Sequence, residues 1–159
     1  MRNHVTSILF VCTGNVFRSL VAEHALRARA GTGSGYLVGS AGIEARPQPV
    51  HPLVRGRLLE KGADPSRHVQ RKLTEDLLTG ARLVVAMGRD HQEFIRRHFG
   101  REVPLFNQIC YERDEPVLDV EEAIPDWEQN QEAAKAYTLW VIDYIWEAIP
   151  ALLARVNRI

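Results

Sequence analysis

A short apolar run that ends in a cysteine constrains the fold of this chain more than any other feature of its sequence. Residues Ile8 to Val11 are continuously apolar and lead directly into Cys12. A run of this length is typical of a strand that is buried on both faces of a parallel sheet. A glycine-containing loop follows, and a helix-like stretch begins at Arg18. The sequence therefore predicts a strand, a tight loop and a helix at the start of an α/β fold.

The loop between this strand and this helix has the composition of an anion-binding site. Loops at the carboxyl edge of a parallel sheet bind ligands, and N–H groups at the start of a helix favour negative charge. The guanidinium of Arg18 matches two phosphate oxygens, and Gly14 and Asn15 suit the backbone of a tight loop. We therefore predict that phosphate binds to the residues of the loop and of the helix start, which are Thr13, Gly14, Asn15, Val16, Phe17, Arg18 and Ser19.

Cys12 stands at the start of this loop and is the candidate nucleophile. Helix N-termini and cationic neighbours favour the thiolate, which is the nucleophilic form of cysteine. Ser19 is positioned to donate a hydrogen bond to the sulfur and to stabilise it as a leaving group. A buried, inert cysteine at a strand end is the alternative. The strand, Gly-Asn, Arg-Ser and helix in one register favour the nucleophile.

Helical stretches alternate with short apolar runs along the whole chain, as in βαβ proteins. The apolar runs predict a four-stranded parallel sheet with helices on both faces, and they are Ile8 to Val11, Tyr36 to Gly39, Leu83 to Met87 and Val103 to Phe106. The helical stretches lie near Arg18 to Ala30, Val50 to Lys61, Thr74 to Leu78, Arg89 to Phe99 and Gln129 to Val156. Because 159 residues fit one core and no linker is present, we expect a single domain over residues 1–159.

Charge and cysteine content bear on partners and location. The 20 Lys and Arg residues balance 20 Asp and Glu residues, so no basic field favours nucleic acid or a membrane as a partner. The most apolar stretch, Tyr137 to Leu153, contains acidic residues and Pro150. It therefore predicts a terminal helix rather than a membrane span. Two cysteines and the lack of a signal peptide favour a cytoplasmic protein, which we expect to be a monomer or a weak dimer.

Taken together, these segments resemble the low-molecular-weight protein tyrosine phosphatase family. The stretch from Ile8 to Ser19 is similar to the N-terminal phosphate loop of that family. Further similarities cover nearly the whole chain, at Ser40-Ala41-Gly42, His68, Arg71 to Thr74, Arg82 to Met87 followed by His91, and Ile124 to Trp127. The resemblance implies a hydrolase that removes phosphate from protein through a phosphocysteine, without a cofactor. It assigns the nucleophile to Cys12, phosphate binding to Arg18 and the general acid to an aspartate far downstream.

Two aspartates compete for the role of general acid. Asp126 is favoured, because Trp127 beside it supplies an apolar wall. Asp119 ends another apolar run and is the alternative, and in the plainest interpretation both are exposed residues of an acidic stretch. We expect the wall of the substrate pocket to include Thr13, Arg46 and Trp127.

Three functions stay open at this level. Phosphotyrosine is the first-ranked substrate. Thr13 after the nucleophile resembles the protein-arginine phosphatase branch of the family, which makes phosphoarginine the second. The altered sequence around Asp126 suggests a noncatalytic phosphate-binding module as the third. Arsenate reduction is disfavoured, because Cys110 alone is a poor relay cysteine.

The remaining candidates have plain interpretations. His68 either orders the phosphate loop or is a structural residue. His91 and His98 are expected on a helix surface, and no tight Cys and His cluster accompanies them in the sequence, so no metal site is expected. Cys110 is expected to be a packed thiol.

Overall fold

The computed structural model describes residues 6–157, which form three strands and seven helices. The strands are β1 (Thr6–Cys12), β2 (Tyr36–Gly42) and β3 (Leu83–Ala86). The helices are α1 (Arg18–Ala30), α2 (Pro52–Glu60), α3 (Glu75–Thr79), α4 (Arg89–Phe99), α5 (Phe106–Tyr111), α6 (Val120–Ala123) and α7 (Gln131–Val156). The five predicted helical stretches are all present, as α1, α2, α3, α4 and α7.

The three strands form a parallel sheet in the order β2-β1-β3. The central strand β1 pairs with β2 from Thr6 to Cys12 and with β3 from Ile8 to Val11. Because the strands are parallel, their carboxyl ends meet at one edge of the sheet. Cys12 lies at that edge, opposite Gly42 of β2.

Side chains of β1 alternate between two hydrophobic cores. Ile8, Phe10 and Cys12 face a core that α1, α2, α5 and α7 complete, whereas Leu9 and Val11 face a smaller core with residues of α3 and α4. The helices therefore cover both faces of the sheet, as predicted. A strand with a core on each side has no polar face, which explains the continuous apolar run in the sequence.

The predicted fourth strand, Val103 to Phe106, is wrong. This segment makes one isolated bridge, between Leu105 and Ala86, and α5 already begins at Phe106. Pro104 has no N–H to donate to a neighbouring strand, and the N–H of Leu105 donates instead to Oε1 of Gln108 at 2.8 Å. The run is apolar because it packs against β3, but it lacks the donors that would continue the sheet.

The terminal helix α7 is the longest in the described part of the chain and packs mainly on α1, α2 and α5. Pro150 lies inside it. No helix within residues 6–157 combines the length and apolar character needed to cross a membrane.

Candidate active site

A loop from Thr13 to Phe17 joins the carboxyl end of β1 to the N-terminus of α1. The carbonyl oxygens of Cys12 and Thr13 accept hydrogen bonds from the N–H groups of Ile43 and Glu44, at 3.0 and 2.8 Å. Within residues 6–157, the N–H groups of the loop donate to no backbone carbonyl, and α1 begins without a side-chain cap. The loop thus presents unpaired N–H groups beside the positive end of a helix, an arrangement that favours an anion.

Asn15 supplies the left-handed backbone conformation at the centre of the loop. Its φ is 55° and its side chain is fully buried. The Asn15 amide nitrogen donates to the hydroxyls of Ser19 and Ser40 at 2.9 and 2.7 Å, and the amide oxygen accepts from the N–H of Arg71 at 3.0 Å. Asparagine tolerates this conformation, and three hydrogen bonds hold it in place. Gly14 does not have a positive φ.

The Asn15 amide also fixes the direction of the hydrogen bonds around the candidate nucleophile. Because its nitrogen can only donate, Oγ of Ser19 accepts, and the proton of that hydroxyl is left for the sulfur of Cys12, 2.9 Å away. Ser40 likewise accepts from Asn15 and donates to Oε1 of Glu23 at 2.6 Å. Ser19 therefore makes the contact with the sulfur that the sequence suggested.

Gly42 packs so closely against the loop that no side chain fits at this position. A Cβ there would lie 2.5 Å from the carbonyl oxygen of Thr13 and 2.8 Å from the backbone nitrogen of Asn15. Glycine is required because the backbones of β2 and the loop approach each other directly. In the sequence, Gly42 stood out only through the family resemblance.

Arg18 brings a buried positive charge to the loop. It is 2% exposed, and its guanidinium donates to the carbonyl of Val117 at 2.9 Å. The carboxylates of Asp119 and Glu122 lie 3.5 and 3.8 Å from its nitrogens. A buried guanidinium needs such partners, because removing an unpaired charge from water is costly.

The segment that carries Asp119 is tied to two other elements. The N–H of Val117 donates to the carbonyl of Met87 at 2.8 Å, and the hydroxyl of Tyr137 donates to the carbonyl of Leu118 at 2.5 Å. Burial raises the pKa of Tyr137 to about 12, so this hydroxyl keeps its proton. Asp119 then begins α6 as its N-cap. These contacts hold its carboxylate next to Arg18.

Asp126, the favoured general acid in the sequence analysis, lies in an exposed turn after α6. Its backbone carbonyl accepts hydrogen bonds from the N–H groups of Gln129 and Asn130, each at 2.9 Å. Of the two candidate acids, Asp119 is the one that pairs with Arg18. The structure thus places Asp119 beside the guanidinium and Asp126 in a turn beside Trp127, and the choice of general acid between them stays a prediction.

The buried histidine His91 holds Thr13 in place. Its Nδ1 accepts from the N–H of Gly88 at 2.9 Å, so Nε2 carries the proton of the neutral ring and donates to Oγ1 of Thr13 at 2.9 Å. Burial, followed by the positive charge of Arg18, lowers the pKa of His91 to about 4. The prediction that His91 lies on a helix surface is wrong. It stands in the first turn of α4, and the helix pattern alone does not show that this turn abuts the loop.

His68 contacts the loop from another side. Its Nε2–H donates to the backbone carbonyl of Asn15 at 2.8 Å. Of its two interpretations, the loop-ordering one fits the structure. His98, by contrast, is exposed on α4, and Cys110 is packed in the larger core, where burial raises the pKa of its thiol to about 12.

A groove of about 700 Å³ opens beside the loop. Its wall is mostly apolar, and the apolar side chains include Val16, Phe17, Val50, Leu53 and Trp127. The charged members are the acidic residues Asp119 and Glu121 and the basic residues Arg55 and Lys135. Of the three residues expected in the wall of the substrate pocket, Trp127 lines this groove, whereas Thr13 and the exposed Arg46 do not. Val16, two residues before Arg18, was not singled out as a wall residue.

Comparison with protein families finds one match that covers almost the whole chain. The model of the family described as low molecular weight phosphotyrosine protein phosphatase matches residues 7–159. A crystal structure of a YwlE mutant from Bacillus subtilis has a TM-score of 0.80 at 29% identity, covering 96% of this chain and 99% of that chain. A solution structure of a low molecular weight protein tyrosine phosphatase from Bacillus subtilis has a TM-score of 0.77 at 30% identity, covering 96% and 98%.

Curated relatives include two kinds of phosphatase. The protein-arginine-phosphatase of Bacillus subtilis (strain 168) is 41% identical over 96 residues, which are 59% of this chain and 63% of the relative. The low molecular weight protein-tyrosine-phosphatase Etp of Escherichia coli (strain K12) is 35% identical over 86 residues, which are 54% and 56%. The chain thus spans about six tenths of the length of these curated relatives.

Proposed function

Because the chain belongs to the low molecular weight phosphotyrosine protein phosphatase family, we propose that it hydrolyses phosphotyrosine in proteins through a phosphocysteine on Cys12. One observation carries the proposal. The Cys12 sulfur accepts a hydrogen bond from the Ser19 hydroxyl at 2.9 Å. It lies at the start of a loop that has unpaired N–H groups and is followed by the buried Arg18. A thiol, a guanidinium and an amide cradle in one place are what attack on a phosphate dianion requires.

In the first step, the Cys12 thiolate attacks phosphorus and the bond from phosphorus to the phenolic oxygen breaks. Arg18 and the loop N–H groups hold the phosphoryl oxygens, on which charge is spread in the transition state. When substrate is bound, the Arg18 guanidinium turns from Asp119 to the phosphoryl oxygens. Asp119 is protonated in this complex and donates its proton to the departing phenolic oxygen. The products are tyrosine and a phosphocysteine, and the Asp119 carboxylate is left ionised.

In the second step, a water molecule replaces the phenol. Asp119 accepts a proton from the water as the water oxygen attacks phosphorus, and the bond between sulfur and phosphorus breaks. Phosphate leaves, and the Ser19 hydroxyl stabilises the returning thiolate. Neither step needs a cofactor.

The groove supports phosphotyrosine as the substrate. A phenyl ring fits against apolar side chains, and Val16, Phe17 and Trp127 supply them in a groove that Asp119, the partner of Arg18, also lines. Contacts of this kind contribute about 0.5–1.5 kcal/mol beyond the burial of area. Thr13, which favoured phosphoarginine in the sequence, directs its hydroxyl to His91 and does not line the groove.

Phosphoarginine is the second candidate, because the Bacillus subtilis protein-arginine-phosphatase is 41% identical over the matched residues. The acidic wall residues Asp119 and Glu121 are compatible with a guanidinium group. Phosphotyrosine would thus contact the apolar side chains of the groove, and phosphoarginine its acidic side chains. The apolar side chains form the larger part of the wall, which favours phosphotyrosine.

The test compares kcat/KM on matched phosphotyrosine and phosphoarginine peptides. We expect the wild-type protein to prefer phosphotyrosine, and Val16→Thr, which adds a hydroxyl to the wall at nearly constant shape, to reduce that preference. Thr13→Val removes the contact with His91 and is expected to lower both rates without changing their ratio. A wild-type preference for phosphoarginine would replace the proposed substrate with the second candidate.

Cys12→Ser is the control that separates an enzyme from a phosphate-binding module. We expect it to abolish hydrolysis of an aryl phosphate while phosphate still binds, because the N–H cradle and Arg18 remain. Calorimetric titration with phosphate and a steady-state assay measure the two properties. Turnover by Cys12→Ser equal to that of the wild type would eliminate the phosphocysteine mechanism, and a wild-type protein that binds phosphate without turnover would be the binding module.

A further inference from the structure

Three potential metal ligands meet in a second pocket, whose lining shares no residue with that of the groove. Glu23 and His24 are neighbours on α1, and His68 comes from the segment between α2 and α3. A carboxylate oxygen of Glu23 and one nitrogen of each histidine lie within 4.8 Å of one another. We propose that these three residues bind a divalent transition-metal ion of the zinc class, and that the ion is coupled to the loop through His68.

The spacing of the ligand atoms fits such an ion. Nε2 of His24 lies 3.2 Å from Nδ1 of His68 and 3.8 Å from Oε2 of Glu23. Bonds of about 2.0–2.1 Å in a tetrahedral zinc site place neighbouring ligand atoms roughly 3.3 Å apart. Small shifts of the side chains therefore suffice to seat the ion. Two imidazoles and a carboxylate also select zinc-like ions over magnesium or calcium, which prefer oxygen ligands.

The hydrogen bonds already orient His68 as a ligand. Its Nε2–H donates to the carbonyl of Asn15, so in the neutral ring Nδ1 carries a lone pair that faces His24. An imidazole that binds a metal through one nitrogen and donates to a backbone carbonyl through the other is the usual arrangement in metal sites. Glu23 is supported in the same way, because its Oε1 accepts from Ser40 while Oε2 faces the cluster.

Metal binding requires two changes, a shift of the proton on the His24 ring and a weakening of the ion pair between Arg27 and Glu23. His24 now donates from Nε2 to His68, so its proton must pass to Nδ1 before Nε2 can bind the ion, and the ring stays neutral. Arg27 donates to Oε2 of Glu23 at 2.8 Å and must share that oxygen or withdraw. It also donates to the carbonyl of Val38 at 2.9 Å, which gives it a second partner.

Other charges face the same pocket, which has a volume of about 600 Å³. Asp64 favours a cation, whereas Arg27, Arg67 and Arg71 oppose it. Arg71 is already occupied, since its Nε donates to the carbonyl of Ser40 at 3.2 Å. Arg27 is the opposing cation that contacts a ligand atom directly, at Oε2 of Glu23, so its removal should strengthen metal binding.

The coupling follows from the contacts and rests on the proposed function. The ion would bind Nδ1 of the ring whose Nε2–H holds the Asn15 carbonyl, and Asn15 in turn orients Ser19 at the Cys12 sulfur. A bound ion polarises this imidazole and strengthens its donated hydrogen bond. Occupancy should thus change the rate of hydrolysis without any contact between metal and substrate.

The binding test uses the full chain carrying Cys12→Ser, so that the loop thiol cannot bind the metal. We expect saturable 1:1 binding of Zn²⁺ by calorimetry, and visible absorption typical of tetrahedral Co²⁺ with cobalt in its place. His24→Gln and, as a second variant that keeps the contact with Ser40, Glu23→Gln should each weaken binding by more than the roughly 10- to 100-fold that follows loss of an outer partner. Arg27→Gln should tighten it.

His98→Gln is the matched control, because His98 is exposed on α4 and lies outside the cluster. Its affinity for Zn²⁺ should equal that of the parent. Absence of saturable binding, or equal binding by the His24→Gln variant and the parent, would overturn the site. A His98→Gln variant that loses binding would assign the metal elsewhere and have the same consequence.

The coupling test uses the chain with Cys12 intact. Zn²⁺ should change the initial rate with a midpoint equal to the calorimetric dissociation constant, and His24→Gln should move that midpoint by the same factor as it moves binding. A Zn²⁺ effect unchanged in His24→Gln would place it at the Cys12 thiol and overturn the coupling. Should the chain not hydrolyse any phosphate ester, the proposed function and the coupling fail, while the binding test still decides the metal site.

Discussion

At the scale of single residues, the geometry around the nucleophile depends on the side chain of Asn15. Asn15 is fully buried in a left-handed conformation, and its side chain sets the direction in which Ser19 donates to Cys12. A buried amide with all its partners present is rigid, because any rotation leaves polar groups unpaired. The conformation at the centre of the loop is thus fixed by one side chain and its three hydrogen-bond partners.

Asp119→Asn is predicted to slow hydrolysis of esters with poor leaving groups by about a hundredfold or more, the usual scale for loss of a general acid. Aryl phosphates whose leaving groups need no proton should be affected much less. Asp126→Asn is the matched control and should retain most of the activity, because Asp126 lies in an exposed turn. Steady-state rates on a series of aryl phosphates measure both, and the reverse pattern would return the acid to Asp126.

At the scale of elements, helix α2 shows how one helix divides between core and surface. Pro52 occupies its first turn, where a missing N–H costs nothing, and the side chain of His51 accepts from the N–H of Leu53 at 3.1 Å. Leu58 is fully buried in the larger core, whereas its neighbour Leu59 is 48% exposed. Helix position alone separates these two leucines.

Leu58→Ala is predicted to lower the free energy of unfolding by about 2–5 kcal/mol, because it removes buried atoms and leaves a cavity. Leu59→Ala makes the same chemical change one position along and should cost less than about 1 kcal/mol. Both substitutions carry the same change in helix propensity, so urea unfolding of the pair isolates burial. Equal losses in the two variants would contradict the packing of α2.

At the scale of the whole molecule, the loop is where most of the fold converges. It follows β1, contacts the end of β2 through Gly42, and receives a hydrogen bond from His91 of α4 and another from His68. Arg18 extends these contacts to the segment at Val117. Because these parts lie far apart in the sequence, the site forms only when the chain is folded as a unit.

Stability is predicted to fall as the pH is lowered from 6.5 towards 4, in part because of His91. The unfolded chain protonates this ring near its ordinary pKa of 6.5, whereas the folded protein does so only at a pKa of about 4. Between these values the unfolded state binds more protons, so the free energy of unfolding decreases with falling pH. Protonation of His91 is expected to lower the free energy of unfolding by about 3 kcal/mol in total, and this decrease begins only below about pH 6.5.

His91→Gln provides the comparison for this prediction. Glutamine can still accept from Gly88 and donate to Thr13, but it does not titrate. Unfolding by urea at a series of pH values should therefore give a shallower dependence in the variant than in the wild type. Identical slopes would show that His91 does not have the lowered pKa.

The sequence by itself determined the parts of the fold that depend on local pattern. The apolar run into Cys12 predicted β1 and its double-sided burial, and α1 and α4 begin and end where the sequence placed them. Local pattern failed at Val103 to Phe106, since a strand needs donors as well as apolar side chains and Leu105 gives its N–H to Gln108. The pattern of apolar residues predicts which side chains are buried, but it does not predict which acceptor each backbone N–H will bond.

The candidate site divides in the same way. The sequence placed Cys12, Arg18 and the loop together because they are neighbours in the chain. Only the tertiary structure paired Asp119 with Arg18, buried His91 against Thr13, and joined Glu23 and His24 to His68. The physical reason is that these pairings join groups from elements distant in the chain, and their separation is set by how helices pack on the sheet, which no local spacing encodes.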